Sequence, residues 1–241
     1  MPLPSLRDQR VVILGGSSGI GFAVAECAAA EGARIVIGSS SQAKVDAAVA
    51  RLGQAAAGHA VDVRDEAAIE RFFGQVGAFD HLVFTAGDWG AAVRPGPLAS
   101  LDLAAAQAAP NVRFWGALRA VKHAQPHIAQ TGSITLTDGV LAHRPMKGSP
   151  LSPAFGGAIE HLVGGLAVDL APVRVNTVCP GLIMTEVVGQ YPPEVVTRMT
   201  AAQPLPRAGD PAEAAQAYLY LMKAGFTTGQ VIIVDGGRML V

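Results

Sequence analysis

The sequence predicts a single doubly wound α/β domain, a parallel sheet of about seven strands with helices on both faces. Three observations predict it. Short β-branched runs alternate with longer Ala-rich stretches of helical spacing, a glycine-rich turn separates the first run from the first helix, and no composition break, repeat or low-complexity linker divides the 241 residues.

In chain order, the strand candidates are Val11–Leu14, Arg34–Ile37, His59–Val61, His81–Phe84, Ser133–Thr137, Val173–Val178 and Val231–Val234. Between them lie the helical candidates Gly19–Glu31, Ser41–Leu52, Asp65–Val76, Leu101–His123, Ser152–Leu170 and Pro211–Met222. Asp65 caps the third helix ahead of Glu66, and Pro211 takes a first helical position after Asp210. Three irregular stretches, Asp88–Ser100, Val140–Leu151 and Leu182–Gly209, each follow a strand. In open parallel sheets, ligands bind beyond the carboxyl ends of the strands, so these loops are where a site is expected.

Composition narrows the classes. With 50% hydrophobic and 15% charged residues the chain folds, and a net charge of −1 offers no footprint for nucleic acid. The two cysteines, Cys27 and Cys179, form neither a disulfide framework nor a CxxC pair, which fits a reducing cytoplasm. The opening Met1–Arg10 leads into too few apolar residues for a signal core, and charged residues, Gly or Pro break the long Ala-rich stretches, so no bilayer span is expected.

Gly15-Gly16-Ser17-Ser18-Gly19-Ile20-Gly21 follows the first strand and opens a helix. Such a loop lets backbone N–H groups approach a pyrophosphate at the positive end of a helix, and its last glycine permits close helix packing: a Rossmann-type dinucleotide site. The second strand ends Ser39-Ser40-Ser41, where an NAD site usually carries an acid to bind the ribose. Three hydroxyls with Lys44 one turn in point instead to the 2′-phosphate of NADP(H), although Ser41 equally suits a helix cap.

At these residues the chain resembles the short-chain dehydrogenase/reductase family. Gly15, Gly19 and Gly21 match its G-x-x-x-G-x-G loop, with Leu14 where the family usually has Thr. Asp62-Val63, Thr85-Ala86-Gly87, Asn111, Arg174-Val175-Asn176, Pro180-Gly181 with Thr185, and Thr228-Gly229-Gln230 leading to Asp235-Gly236-Gly237 follow in family order. The resemblance implies that Asp62 and Val63 bracket the adenine and that Ala86 and Gly87 pass the ribose. It also implies that Pro180, Gly181, Ile183 and Thr185 hold the nicotinamide end, and that the chain pairs its long helices in a homodimer or homotetramer acting on a small molecule.

The catalytic positions depart from the family. Gly139, Ser152 and Gly156 stand where it carries Ser, Tyr and Lys; Asn111 alone survives. None of Tyr191, Tyr218 and Tyr220 has a Lys four residues on. Asp138, at the end of the fifth strand, is a substitute acid if desolvated, or a turn residue before Gly139. His143, Lys147 and Tyr191 lie in loops within reach of a substrate, and loops usually carry such residues merely solvated. His123 and His127 have a zinc-chelating spacing, but Pro126 interrupts it and no third ligand follows, so no metal is expected. The expectation is an NADP(H)-binding oxidoreductase with atypical chemistry on a carbonyl or imine; a cofactor-binding partner or sensor without turnover is the alternative.

Overall fold

The computed structural model describes residues 5–87 and 95–241. Residues 88–94 of the expected loop Asp88–Ser100 therefore lie outside the described residues. The strands β1 (Arg10–Leu14), β2 (Arg34–Ser39), β3 (Ala56–Ala60), β4 (Phe79–Phe84), β5 (Ile128–Thr137), β6 (Arg174–Pro180) and β7 (Val231–Val234) form one sheet in the order β3-β2-β1-β4-β5-β6-β7. Every neighbouring pair is parallel.

Each face of the sheet is covered, which is why its central strands are apolar on both sides. One core joins the sheet to α1 (Gly19–Ala30), α2 (Gln42–Leu52) and α8 (Pro211–Lys223) through Phe22, Val24, Val45, Tyr218 and Leu221. The opposite core joins it to α3 (Glu66–Val76), α5 (Ala117–Ala124) and α6 (Leu151–Asp169) through Ile69, Phe72, Phe73, Val121, Ile159 and Val163. Asp65 caps α3 through the N–H groups of Ala67 and Ala68, and Asp210 and Glu213 close a capping box on α8.

Beyond shifts at strand ends, such as β5 beginning at Ile128 rather than Ser133 and β6 running to Pro180, three elements differ from the sequence expectation. The third strand is Ala56–Ala60 rather than His59–Val61, because small residues let α2 lie close: a Cβ on Gly58 would stand 2.5 Å from Val45 Cγ1. The expected helix Leu101–His123 is interrupted. Pro110 has no N–H to continue a ladder, so α4 (Leu103–Ala108) gives way to a π-helical turn, Asn111–Gly116, before α5 resumes. Within Leu182–Gly209, expected to be irregular, α7 (Pro193–Thr200) forms with Pro193 in its first turn.

Among the described residues, α6 alone is long and apolar enough by length and composition to cross a membrane. In this fold it is a layer helix, with Ile159 and Val163 buried in the core.

Candidate functional site

The strand order reverses between β1 and β4, and the chain turns closest on itself there. Thr85 and Ala86 both donate their N–H groups to Leu14 O, at 2.8 and 3.0 Å. Glycine is required on the facing turn. Gly15 has φ +91°, and a Cβ on it would lie 2.5 Å from Ala86 N. A Cβ on Gly21 would lie 2.3 Å from Thr85 Oγ1. The loop thus brings backbone N–H groups and the N-terminus of α1 to one cradle, the fit a pyrophosphate demands.

An anion of the chain's own already reaches that cradle. Glu186, just past Thr185, accepts a hydrogen bond from Gly19 N at 3.3 Å. Thr185 Cγ2 stands 3.1 Å from where a Gly19 Cβ would be. Segment 180–186 therefore closes over the glycine loop from the far side. Gly181 N donates to Val234 O, and Ile183, which is buried, bridges Gly209.

At the end of β2, Ser17 donates to Ser39 Oγ at 2.9 Å, joining the glycine loop to the strand. Ser40 is exposed, and Ser41 Oγ accepts from Lys44 N at 3.4 Å as the α2 cap, so capping is part of its role. The Asp62 carboxylate is held by Arg64, whose Nη2 lies 2.7 Å away, and this pairing keeps its pKa below the usual carboxylate value. Val63 turns its side chain into the core beside Gly116, where an added Cβ would be 3.0 Å from Val63 Cγ2.

Asn111 opens the π turn, half-buried, with its amide making no hydrogen bond to the described residues. A Cβ on Gly87 would stand 2.9 Å from Arg113 Nε, so Arg113 lies over the carboxyl end of β4. Arg113 was not singled out by its sequence; its signal is its place two residues past Asn111 in the same widened turn.

Asp138 is 5% exposed, and neither carboxyl oxygen has a hydrogen-bond partner among the described residues. Burial first, then the neighbouring Glu160 carboxyl, pushes its pKa up to about 8. Asp138, His143, Glu160 and Cys179 bring one donor atom each within 4.8 Å of one another. His143 Nε2 is 2.6 Å from Glu160 Oε1, in contact but not aligned as a hydrogen bond. Burial raises the Cys179 thiol pKa, with the carboxyls adding to the effect, so the thiol stays protonated. Glu160 escaped the sequence reading because it sits one helical turn beyond Gly156, where no family motif falls.

Other candidates are placed elsewhere. Asn176 ties β6 to the segment before β7 through Thr227 O and Gln230 N. Tyr218 is buried against Thr137, and Tyr191 is exposed. His123 meets Glu66 at 3.1 Å while His127 stacks on Phe73, so the two imidazoles serve different neighbours. A groove between α7 and residues 206–210, lined by Met184, Val196 and Arg207, contains neither Asn111 nor Asp138 in its walls.

A family profile described as enoyl-(acyl carrier protein) reductase matches residues 15–238. A short-chain dehydrogenase/reductase, ATR9 of Stachybotrys chlorohalonatus, is 33% identical over 99% of this chain and its own full length. The chain belongs to the short-chain dehydrogenase/reductase family. Among solved structures of this family, the MalC reductase/Diels-Alderase from Malbranchea aurantiaca superposes with a TM-score of 0.89, at 32% identity over 98% of both chains. A small-chain dehydrogenase in complex with NADPH gives 0.79, at 31% identity over 97% of this chain and all of that one. The protein is accordingly an oxidoreductase of the short-chain type, a family that binds nicotinamide dinucleotides. The positions expected from the sequence to differ from the family's Ser and Lys differ in the room they offer. A Gly139 Cβ would meet nothing nearer than Pro180 O at 3.9 Å, so that position has room for Ser. At Gly156 a Cβ would stand 2.7 Å from Ala142 Cβ, so that position has no room for Lys without movement.

Proposed function

We propose that the protein is an NADP(H)-dependent reductase of a carbonyl or imine on a small molecule, with Asp138 as proton donor. The observation that carries this reading is the buried Asp138 carboxyl just past the carboxyl end of β5, with no donor stronger than the Cys179 thiol facing it among the described residues. With its pKa pushed up to about 8, it is protonated at neutral pH and has a proton to give, which Ser152 cannot match. The nicotinamide, when bound, supplies the hydride. The chain's part is to hold the substrate and deliver the proton as negative charge develops on oxygen or nitrogen. Delivery needs the Asp138 side chain to turn out from cover, and the open space at Gly139 accommodates that turn. Asn111 contributes an uncommitted amide from the π turn.

NADP(H) is favoured over NAD(H) by hydroxyls where a carboxylate would repel a 2′-phosphate: Ser39 linked to Ser17, exposed Ser40, and Ser41 at the start of α2. A fluorescence titration is expected to give tighter NADPH than NADH binding, and Ser39→Asp to move the preference toward NADH. On a panel of carbonyls and imines, Asp138→Asn is expected to remove turnover while leaving NADPH affinity intact. In the unaltered protein the rate should fall above about pH 8, as the donor ionises. The absence of Tyr and Lys at Ser152 and Gly156 favours a second reading, a cofactor-binding partner or sensor. NADPH binding with no turnover across the panel would select it.

A further inference from the structure

We propose that Glu160 and His143 form a proton line behind Asp138 that holds its proton in place and resupplies it from solvent after each turnover. The proposal rests on the reading of Asp138 as donor.

Two carboxyls brought together from the end of β5 and from α6 are both acceptors when ionised, and among the described residues only the weak thiol donor of Cys179 faces Asp138. One proton between them resolves the conflict, because like charges at such range do not both ionise. Glu160 in turn touches His143, and the side chains open toward water along the line: Glu160 is 12% and His143 29% exposed, outside the nearly sealed Asp138. The groups around the pair come from every element packed on it. Cys179 faces it from β6 as a neutral thiol, Tyr218 from α8 as a neutral phenol, and Asp235 and Arg113 act at longer range through Cys179 and Tyr218. None of these reaches Glu160 as His143 does.

The same four donors suit a zinc ion by chemistry, but not by spacing. With metal bonds of about 2.0–2.1 Å, a tetrahedral site separates neighbouring N and O ligands by about 3.3 Å. His143 and Glu160 at 2.6 Å are in direct contact instead.

The transfer balances without any oxidant or further reactant. The Asp138 O–H bond breaks as the substrate oxygen or nitrogen gains its proton. His143, protonated from water or buffer, then gives a proton to the Glu160 carboxylate, which passes it to the Asp138 carboxylate, so that Glu160 and His143 end as they began. Glu160 and His143 act only through Asp138 and are therefore positioning residues.

Carbon-13 NMR of the Asp138 carboxyl, assigned by its loss in Asp138→Asn, reads the pair in the intact chain with no substrate required. Glu160→Gln removes the like charge, and the Asp138 midpoint is expected to fall by about one pH unit or more. An unchanged midpoint overturns the proposal. His143 sits at the exposed end, so His143→Ala spares the core. Its kcat on the fastest panel substrate is expected to drop about tenfold or more in dilute buffer, with KM unchanged, and to recover as imidazole is added. A kcat equal to that of the unaltered protein, or a loss that imidazole does not repair, overturns the line. The donor reading fails separately, if Asp138→Asn keeps its turnover. One equivalent of zinc in the purified protein by elemental analysis would overturn the line in favour of a metal site.

Discussion

Glu186 places a carboxylate on the backbone N–H of Gly19, at the end of α1 that attracts anions. A pyrophosphate arriving there meets a like charge that must be displaced. Glu186→Gln keeps the side-chain length and removes the charge, so NADPH should bind about two- to fivefold tighter, and the gain should shrink as salt is raised. Titration at two ionic strengths checks both. A different residue governs behaviour in acid. His81 is buried between Ser133 Oγ, at 2.8 Å, and Gln9 Oε1, at 2.7 Å, and burial lowers its pKa to about 4. The unfolded chain takes up the proton near the ordinary value of 6.5 while the folded chain resists it. This stability is complete above that value and is lost as pH falls from 6.5 toward 4. Urea unfolding at pH 5 should therefore show about 2 kcal/mol less stability from this residue than at pH 7. His81→Gln, which cannot titrate, should flatten that difference.

At the scale of elements, α6 sets what a Lys at Gly156 would have to displace. Gly156 packs on Ala142 of the short 3-10 turn Val140–Ala142. Gly156→Lys should cost about 1–3 kcal/mol of overpacking, offset in part by up to about 1 kcal/mol of helix propensity. A thermal midpoint lowered by a few degrees, read by calorimetry, is the expected outcome. Restoring Ser, Tyr and Lys together would therefore disturb the turn carrying His143 as well as the site. The elements also show what the sequence could and could not reveal. Strands such as β1 and β7 were legible because their β-branched runs have no competing reading, and β7 begins and ends where expected. The π turn was not legible: Pro110 announces an interruption, but whether the chain turns away or widens depends on packing against Val63. The cofactor loops were legible because glycine at Gly15 and Gly21 has a steric necessity that leaves a spacing in the sequence. The cluster around Asp138 leaves none, since its members come from two strands, a loop and a helix face that only the folded sheet assembles. Asp138 could be named from its strand end, whereas Glu160, apart in sequence and on a helix of small apolar residues, could not.

For the whole molecule, the outer side of α6 is the surface least accounted for by the monomer. Gly157, Gly164 and Gly165 have open space where side chains would be, and Val168 is 78% exposed. Small residues admit a second helix at short range, which a second copy of the chain would supply by two-fold symmetry. Light scattering should return at least twice the 24.7 kDa chain mass, and Gly164→Arg should reduce it to one chain without unfolding the protein. The bond from Gly19 to Glu186 has a further thermodynamic consequence. It ties segment 180–186 to the glycine loop. Binding then exchanges one anion for another on a scaffold whose backbone is already set, so little conformational entropy remains to be lost. Amide exchange across 182–200 should slow only modestly when NADPH is added, and binding should show a small ordering penalty by calorimetry. In Glu186→Gln the amide oxygen still accepts from Gly19 N, so the tighter affinity should come with amide exchange across 182–200 in the free protein little changed.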